Sequence, residues 1–437
     1  MNELLVKTKE LLSAWKGADY VFGRGVLPEL GKLAARFGKT ALVICNTAHK
    51  KSFADTILVS LKNAGIKLAG NTLFPGAGPN APRADVYRIE TYILHYKPDL
   101  IIACGGGSTI DACKAADILA TLGGEVDPDI DHWFGTGIVS GALEKTGLHL
   151  YPLVAVQTAA GSGAHLTKYS NITDPVSGQK KLIVDDSIVP CAALFDYDIT
   201  ASTPASVTID GILDSIAHCF EVFSGLPSGG NPQMRAKYEL SATLTETVLE
   251  LILQNGPKVI RNPDDLEARE AIGMASDLGA YAIMIGGTHG PHMVSFSLVD
   301  LAGHGTACGI LNPYFAVLFA PAIEQQLRLA CTIFGKYGYI SGSVGNLGGR
   351  ELGIVFANGM IAFSKAIGAP VALKELPGWN DSYIEKILGA AKDPQLEMKL
   401  KNMPIPLTAA MVDGYMGPVI RAASCGDLSL IGNLNPK

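Results

Sequence analysis

Residues 100–104 (LIIAC) are five apolar residues in a row, and they run straight into Gly105, Gly106 and Gly107. A continuous apolar run of this length reads as a strand buried on both faces. Helical spacing resumes almost at once, over 111–122. Thr40–Cys45 (TALVIC) has the same character and is followed by helical spacing over 53–64. Residues 66–74 and 151–156 are further strand candidates, and 84–96 is helical in spacing. Strands buried on both faces and alternating with helices require a mostly parallel sheet with helices above and below. The first seventeen residues alternate charged and apolar positions at helical spacing, without the apolar core of a secretion signal.

Beyond about residue 200 the texture changes. Long Ala/Leu-rich segments follow at 209–223, 233–253, 266–284, 314–334, 352–367 and 383–391. The expected organisation is an α/β domain over 1–195 and an all-α domain over 196–437, joined within 189–206, where prolines and small polar residues collect. The length of 437 residues leaves each domain a sizeable core.

Composition removes several function classes. Hydrophobic residues make up 48% of the chain and charged residues 17%, which excludes extensive disorder. The net charge of −6 lacks the basic footprint of a nucleic-acid binder. The most apolar windows, 280–287, 313–323 and 352–373, are short or interrupted, so no membrane span is expected and the cytoplasm is the default location. Eight cysteines stand at 45, 104, 113, 191, 219, 308, 331 and 425 with no CxxC pair. Most sit in apolar stretches and read as reduced, buried thiols.

Two constellations carry chemistry. In the first, ACGGGSTIDACK (103–114), glycine allows backbone to approach a phosphate, and the amides opening the next helix face the anion. Ser108 and Asp111 fit an S-x-x-D cap. A plain glycine-rich turn explains the same residues without a ligand. The pattern is not G-x-G-x-x-G, and the other glycine cluster, Gly23-Arg24-Gly25, follows no convincing strand. In the second, Asp214 and His218 are four apart on one helix face. Residues 288–305 then hold His289, His292 and His304, three of the nine histidines. Two of these would complete a three-His, one-carboxylate shell suited to Fe²⁺ or Zn²⁺. A local Asp–His hydrogen bond is the plainer alternative for the first pair.

Together these landmarks resemble the iron-containing (group III) alcohol dehydrogenases over essentially the whole chain. Gly23 and Gly25, Pro79-Asn80, GGGSxxDxxK at Gly105–Lys114, TAAGSGAHLT at 158–167, and the stretch 194–221 with Pro204, Gly211, Asp214, His218 and Glu221 appear in the family's order. His292 and His304-Gly305 follow. The resemblance implies a Rossmann-like first domain, a helical second domain, and cofactor and metal meeting in the cleft between them. It implies Asp214, His218, His292 and His304 as metal ligands, with His289 a rival to His292. It implies Gly105, Gly106, Gly107 and Ser108 around the pyrophosphate, Asp111 near the cofactor, and Thr158 and Thr167 around the diphosphate and nicotinamide. Lys180 or Lys181 would reach the ribose, and Asn46 stands where cofactor choice is made. Asn46 neither binds the ribose hydroxyls strongly nor repels a phosphate, while His49, Lys50 and Lys51 would welcome one; NAD is favoured over NADP.

The sequence departs from the family at several places, among them Ser215 for a usual alanine-like residue and a His292–His304 interval two residues shorter than the family's. The second histidine of H-x-x-x-H falls on Phe296, and His165 replaces a usual glutamate. His289 is then the candidate proton relay. The implied reaction is hydride transfer between a small alcohol or aldehyde and NAD(P), by a homo-oligomer with no nucleic-acid or membrane partner. A glycerol dehydrogenase-like enzyme, a dehydroquinate synthase-like enzyme and a non-catalytic metal- or nucleotide-binding protein are the alternatives. The absence of Lys and Arg in 288–305 counts against the synthase.

Overall fold

The computed structural model describes residues 3–46, 51–176 and 178–435. His49 and Lys50 lie outside the described residues. The chain divides into two compact units, one of Lys9–Thr203 and one of Pro204–Lys437 with Met1–Thr8.

In the first unit the strands are β1 (Tyr20–Gly23), β2 (Thr40–Cys45), β3 (Lys67–Leu68), β4 (Leu100–Gly105), β5 (Gly135–Thr136), β6 (Leu153–Gln157), β7 (Tyr169–Asp174), β8 (Gln179–Val184) and β9 (Ala192–Asp196). The helices are α1 (Glu3–Lys16), which begins among the residues of the other unit, α2 (Leu30–Ala34), α3 (Lys51–Asn63), α4 (Arg83–Tyr96), α5 (Gly107–Leu122) and α6 (Ile138–Thr146). Six strands form a parallel sheet in the order β1-β9-β6-β4-β2-β3, and β5, β8 and β7 form a small second sheet. The apolar run of β4 divides between two cores: Ile101 and Ala103 enter one, Leu100, Ile102 and Cys104 the other. Burial on both faces is therefore the reason the run is continuous rather than alternating.

Three expectations are corrected. Residues 66–74 are not one strand. Pairing stops at Leu68, because Gly70 (φ +65°) and Asn71 (φ +54°) turn the backbone left-handed, and Phe74 rejoins β2 only through a bridge to Ile44. Gly23 does follow a strand: β1 pairs with β9, which itself lies fully buried in the stretch expected to be a joint. The third correction concerns the second unit.

That unit contains α7 (Ala205–Gly225), α8 (Pro232–Arg261), α9 (Leu266–Ile285), α10 (Gly290–Ser295), α11 (His304–Phe319), α12 (Glu324–Lys336), α13 (Gly349–Ala366), α14 (Ser382–Ala390), α15 (Glu397–Lys401) and α16 (Val412–Cys425), and no strand among the described residues. The expected helix over 314–334 is two helices. Pro321, which has no N–H to give, sits in a 3₁₀ turn (Ala320–Ala322) that separates α11 from α12. Residues His304–Ala322 are apolar and long enough to cross a membrane, but 83% of that stretch is buried, as in the core helix of a globular protein.

Helix α11 packs unusually close to α7. A Cβ on Gly305 would stand 2.0 Å from the Asp210 carbonyl oxygen and 2.6 Å from the Asp214 Cβ. One on Gly309 would stand 2.7 Å from the Leu213 side chain. Two glycines one helical turn apart thus bring the start of α11 against the middle of α7.

Candidate functional site

The glycine turn of the first unit lies at the carboxyl edge of the parallel sheet. Cys45 pairs with Cys104 and Gly105 with Gln157, so Asn46, Gly105 and Thr158 leave adjacent strands on the same side. β2 is also where successive connections reverse direction, with β3 on one side and β4 on the other, the usual position for a ligand in such sheets. Helix α5 is capped by Gly106, with no side-chain hydrogen bond to its first amides. The expected Ser108–Asp111 cap is therefore corrected: Ser108 lies inside the first turn. The Asp111 carboxylate instead accepts from the backbone and side-chain nitrogens of Asn171 on β7, at 3.0 and 3.3 Å. With no acceptor supplied by a cap, the positive end of α5 is left for an anion. The cradle also has room: a Cβ on Gly106 would meet nothing nearer than Ala159 at 4.0 Å.

The remaining expected cofactor residues surround this turn unevenly. The Thr158 amide donates to the Gly105 carbonyl at 3.1 Å. Thr167 is buried, and its hydroxyl has no hydrogen-bond partner among the described residues. Lys114 holds the segment in place by donating to the carbonyls of Ala164, Thr167 and Tyr169 at 2.7–2.8 Å. Burial pulls its pKa down to about 8 even though Asp111 opposes the shift. Lys181 is engaged in ion pairs with Asp131 (3.0 Å) and Asp174 (3.6 Å), whereas the charge of Lys180 acts on Asp111. His165 is buried and faces Tyr20, its Nε2 3.2 Å from the phenolic oxygen. Sequence reasoning did not single out Ser162 or Gly76. A Cβ on Gly107 would stand 2.7 Å from the Ser162 hydroxyl, and one on Gly76 would stand 2.6 Å from the Thr109 hydroxyl. These close approaches leave no mark in a single sequence.

In the second unit, Asp214 and His218 share a face of α7, as their spacing requires. The Asp214 Oδ1 lies 3.5 Å from His218 Nε2, 3.5 Å from His292 Nε2 and 3.9 Å from His304 Nε2. Donors on a tetrahedral ion with bonds of about 2.1 Å stand about 3.4 Å apart. Asp214 and His292 are each 3% exposed, and neither Asp214 Oδ1 nor His292 Nε2 has a hydrogen-bond partner among the described residues. Buried polar atoms left unpaired are costly, and a metal ion satisfies both. Donors of these types at these distances from Asp214 Oδ1 suit a divalent cation.

Glu221, one α7 turn beyond His218, organises the cluster. Its Oε2 accepts from the His289 amide at 2.9 Å, and its Oε1 pairs with His292 Nδ1 at 2.6 Å. A carboxylate at the start of α10 thereby fixes both the helix and the imidazole it carries. Burial alone would raise the Glu221 carboxyl; the charge and hydrogen bond of His292, together with His289, bring it down to about 2. Ser295 likewise lies 3.0 Å from His304 Nδ1, leaving Nε2 toward Asp214.

Burial pushes His218 and His289 down to about 4, against the pull of Asp214 and Glu221 respectively. Burial also opposes charge on His292, but Cys308, Glu221 and Asp214 outweigh it and hold that pKa well above the ordinary value in the metal-free protein.

His289 stands behind the cluster, its Nδ1 accepting from the Gly290 amide at 2.8 Å and its Nε2 3.0 Å from the Ser224 hydroxyl. Phe296 stacks on His304 with ring centroids 6.0 Å apart. Lys399 lies over Phe296 at 5.6 Å and donates to Thr288. Lys399 and Cys308 were not anticipated. The lysine is 95 residues or more from the histidines. The cysteine sits in an apolar stretch, although its position four residues after His304 was a usable signal.

A model of iron-containing alcohol dehydrogenase matches residues 17–197. The NAD-dependent methanol dehydrogenase of Bacillus methanolicus is 29% identical over 320 residues, which cover 72% of this chain and 78% of that protein. Long-chain-alcohol dehydrogenase 1 of Geobacillus thermodenitrificans is 25% identical over 390 residues, covering 88% and 90%. The archaeal halo-thermophilic Red Sea brine pool alcohol dehydrogenase superposes with a TM-score of 0.78 at 18% identity, over 93% of this chain and 97% of that one. At that identity the likeness speaks for the fold.

Proposed function

Because the chain belongs to the iron-containing alcohol dehydrogenase family, we propose that it is a metal-dependent alcohol dehydrogenase that moves a hydride between a small alcohol or aldehyde and a nicotinamide cofactor. The observation that carries this reading is the convergence of three imidazoles on Asp214 Oδ1, with two buried atoms left unpaired. Asp214, His218, His292 and His304 would hold Fe²⁺ or Zn²⁺. When bound, the metal polarises the substrate oxygen and the nicotinamide gives or takes the hydride. Glu221 and Ser295 aim the imidazoles that hold the ion, and Phe296 packs an apolar ring over His304 in place of a titratable one. His289 is held as a neutral imidazole, and any proton it relays would pass through Ser224 at its Nε2.

On the cofactor side, Gly105–Ser108 would cradle the pyrophosphate on the open amides of α5. Thr158 and Thr167 would line the segment beside it. Asn46 carries no charge, and NAD is the expected cofactor, as in the Bacillus relative's name. Lys180 or Lys181 would reach the ribose; Lys181 also pairs with Asp131 and Asp174. Eight free cysteines accord with a reducing, cytoplasmic setting. A homo-oligomer remains the expected assembly.

The test is NADH and NADPH oxidation with a panel of short aldehydes and ketones, by protein stripped of metal and reloaded anaerobically with Fe²⁺ or Zn²⁺. Activity that returns only with metal supports the reading. Confirmed metal loading with no turnover for any pairing sinks it.

A further inference from the structure

One cluster of potential donor atoms includes a residue outside the four the family pattern names. Those of Asp214, His292, His304 and Cys308 all lie within 4.8 Å of one another. Cys308 is wholly buried. It stands four residues after His304, so both side chains leave the same face of α11. That face is held against Asp214 by the close approach at Gly305 and Gly309. The neighbouring Asp214 Oδ1 and His292 Nε2 are themselves buried and unpaired among the described residues. A sulfur therefore lies in the same cluster as these two residues.

We propose that Cys308 is a further, thiolate ligand of the metal that Asp214, His218, His292 and His304 would hold, and that it biases the site toward Zn²⁺ over Fe²⁺. This rests on the reading of those residues as a metal site. On binding, the S–H bond breaks, its proton passes to solvent and a sulfur–metal bond forms; nothing is oxidised or reduced. A thiolate is a softer donor than imidazole or carboxylate and selects for metals that accept soft ligands. A coordinated thiol loses its proton outright, however strongly burial favours the neutral form in the metal-free protein.

The probe is Co²⁺, added anaerobically to the stripped full-length protein, with bound metal counted and the sulfur-to-cobalt charge-transfer absorption recorded. The wild type is expected to bind one equivalent and show the band. Cys308→Ser is expected to lose the band and at least about tenfold in Zn²⁺ affinity, and its Zn²⁺-over-Fe²⁺ preference in competition should shrink. One bound Co²⁺ without the band overturns the role of Cys308 while leaving the metal site standing. Failure of the wild type to bind any metal overturns both. A band that persists in Cys308→Ser assigns the sulfur elsewhere and also overturns the proposal. Should the variant not fold, X-ray absorption of the zinc-loaded wild type decides: one sulfur at about 2.3 Å is expected, and a shell of nitrogen and oxygen alone refutes it.

Discussion

The two candidate sites are built on opposite principles. The glycine turn is made of backbone. Its recognition groups are the first amides of α5, and its side chains are small so that nothing stands in the way. The metal cluster is made of side chains from α7, α10 and α11, two of them fixed by a further group: Glu221 for His292 and Ser295 for His304. Backbone sites follow from local sequence order and tolerate drift around them. Side-chain sites depend on helix packing and on every supporting partner. The match to the family model ends at residue 197, short of every metal-ligand candidate.

If that contrast is right, damage to the two sites should separate cleanly. The largest effect is expected from His304→Ala. Metal content should fall to near zero and turnover by at least about a thousandfold, as loss of Lewis-acid stabilisation worth several kcal/mol requires, with NADH binding by fluorescence unchanged. Normal metal content would end the ligand assignment.

Gly305→Ala and Gly107→Ala form the matched pair. The first drives a methyl into the Asp210 carbonyl at 2.0 Å. It should cost about 1–3 kcal/mol or more in stability and loosen metal binding while sparing the cofactor. The second meets the Ser162 side chain at 2.7 Å. It should raise the KM for NADH, by about a hundredfold if the cradle shifts by an ångström, and leave metal content intact. Crossed results, with Gly107→Ala losing metal, would dissolve the distinction. Glu221→Gln is milder: it keeps the shape and removes the charge facing His292, and metal affinity should drop about ten- to a hundredfold by chelator competition.

The same contrast explains what could be read from the chain alone. β2 and β4 were legible because burial on both faces writes a continuous apolar run. β9 has the same burial but lies among prolines and small polar residues, so it passed for a joint. β1 was missed because its two middle residues are only half buried and it pairs on one side, with β9. Asp214 and His218 were legible through helical spacing, and the later histidines through their density. Their convergence could be anticipated only through the family resemblance, since the approach of α11 to α7 depends on two glycines that look unremarkable in sequence. Cys308 was hidden by its surroundings: a cysteine in an apolar helix reads as core, and here it is both core and neighbour to three ligands.

The smallest expected effect concerns protons in the metal-free protein, and it separates the imidazoles by sign. His218 and His289 have folded pKa values near 4, below the ordinary 6.5. The unfolded chain therefore binds more protons than the folded one between those values. The stability they contribute is complete above pH 6.5 and is lost as pH falls through 4, with a slope of up to about 1.4 kcal/mol per pH unit for each. His292 behaves oppositely. Its folded pKa is raised, so its contribution is full below 6.5 and disappears as pH rises through the folded value. Urea midpoints of the stripped protein should therefore fall on acidification from pH 6.5 to 4. His289→Gln should change that slope by the share of one imidazole, up to about 1.4 kcal/mol per pH unit, while leaving the alkaline side unchanged. An undiminished acid slope in His289→Gln would mean that His289 is not the buried neutral group its bonds to Gly290 and Ser224 describe.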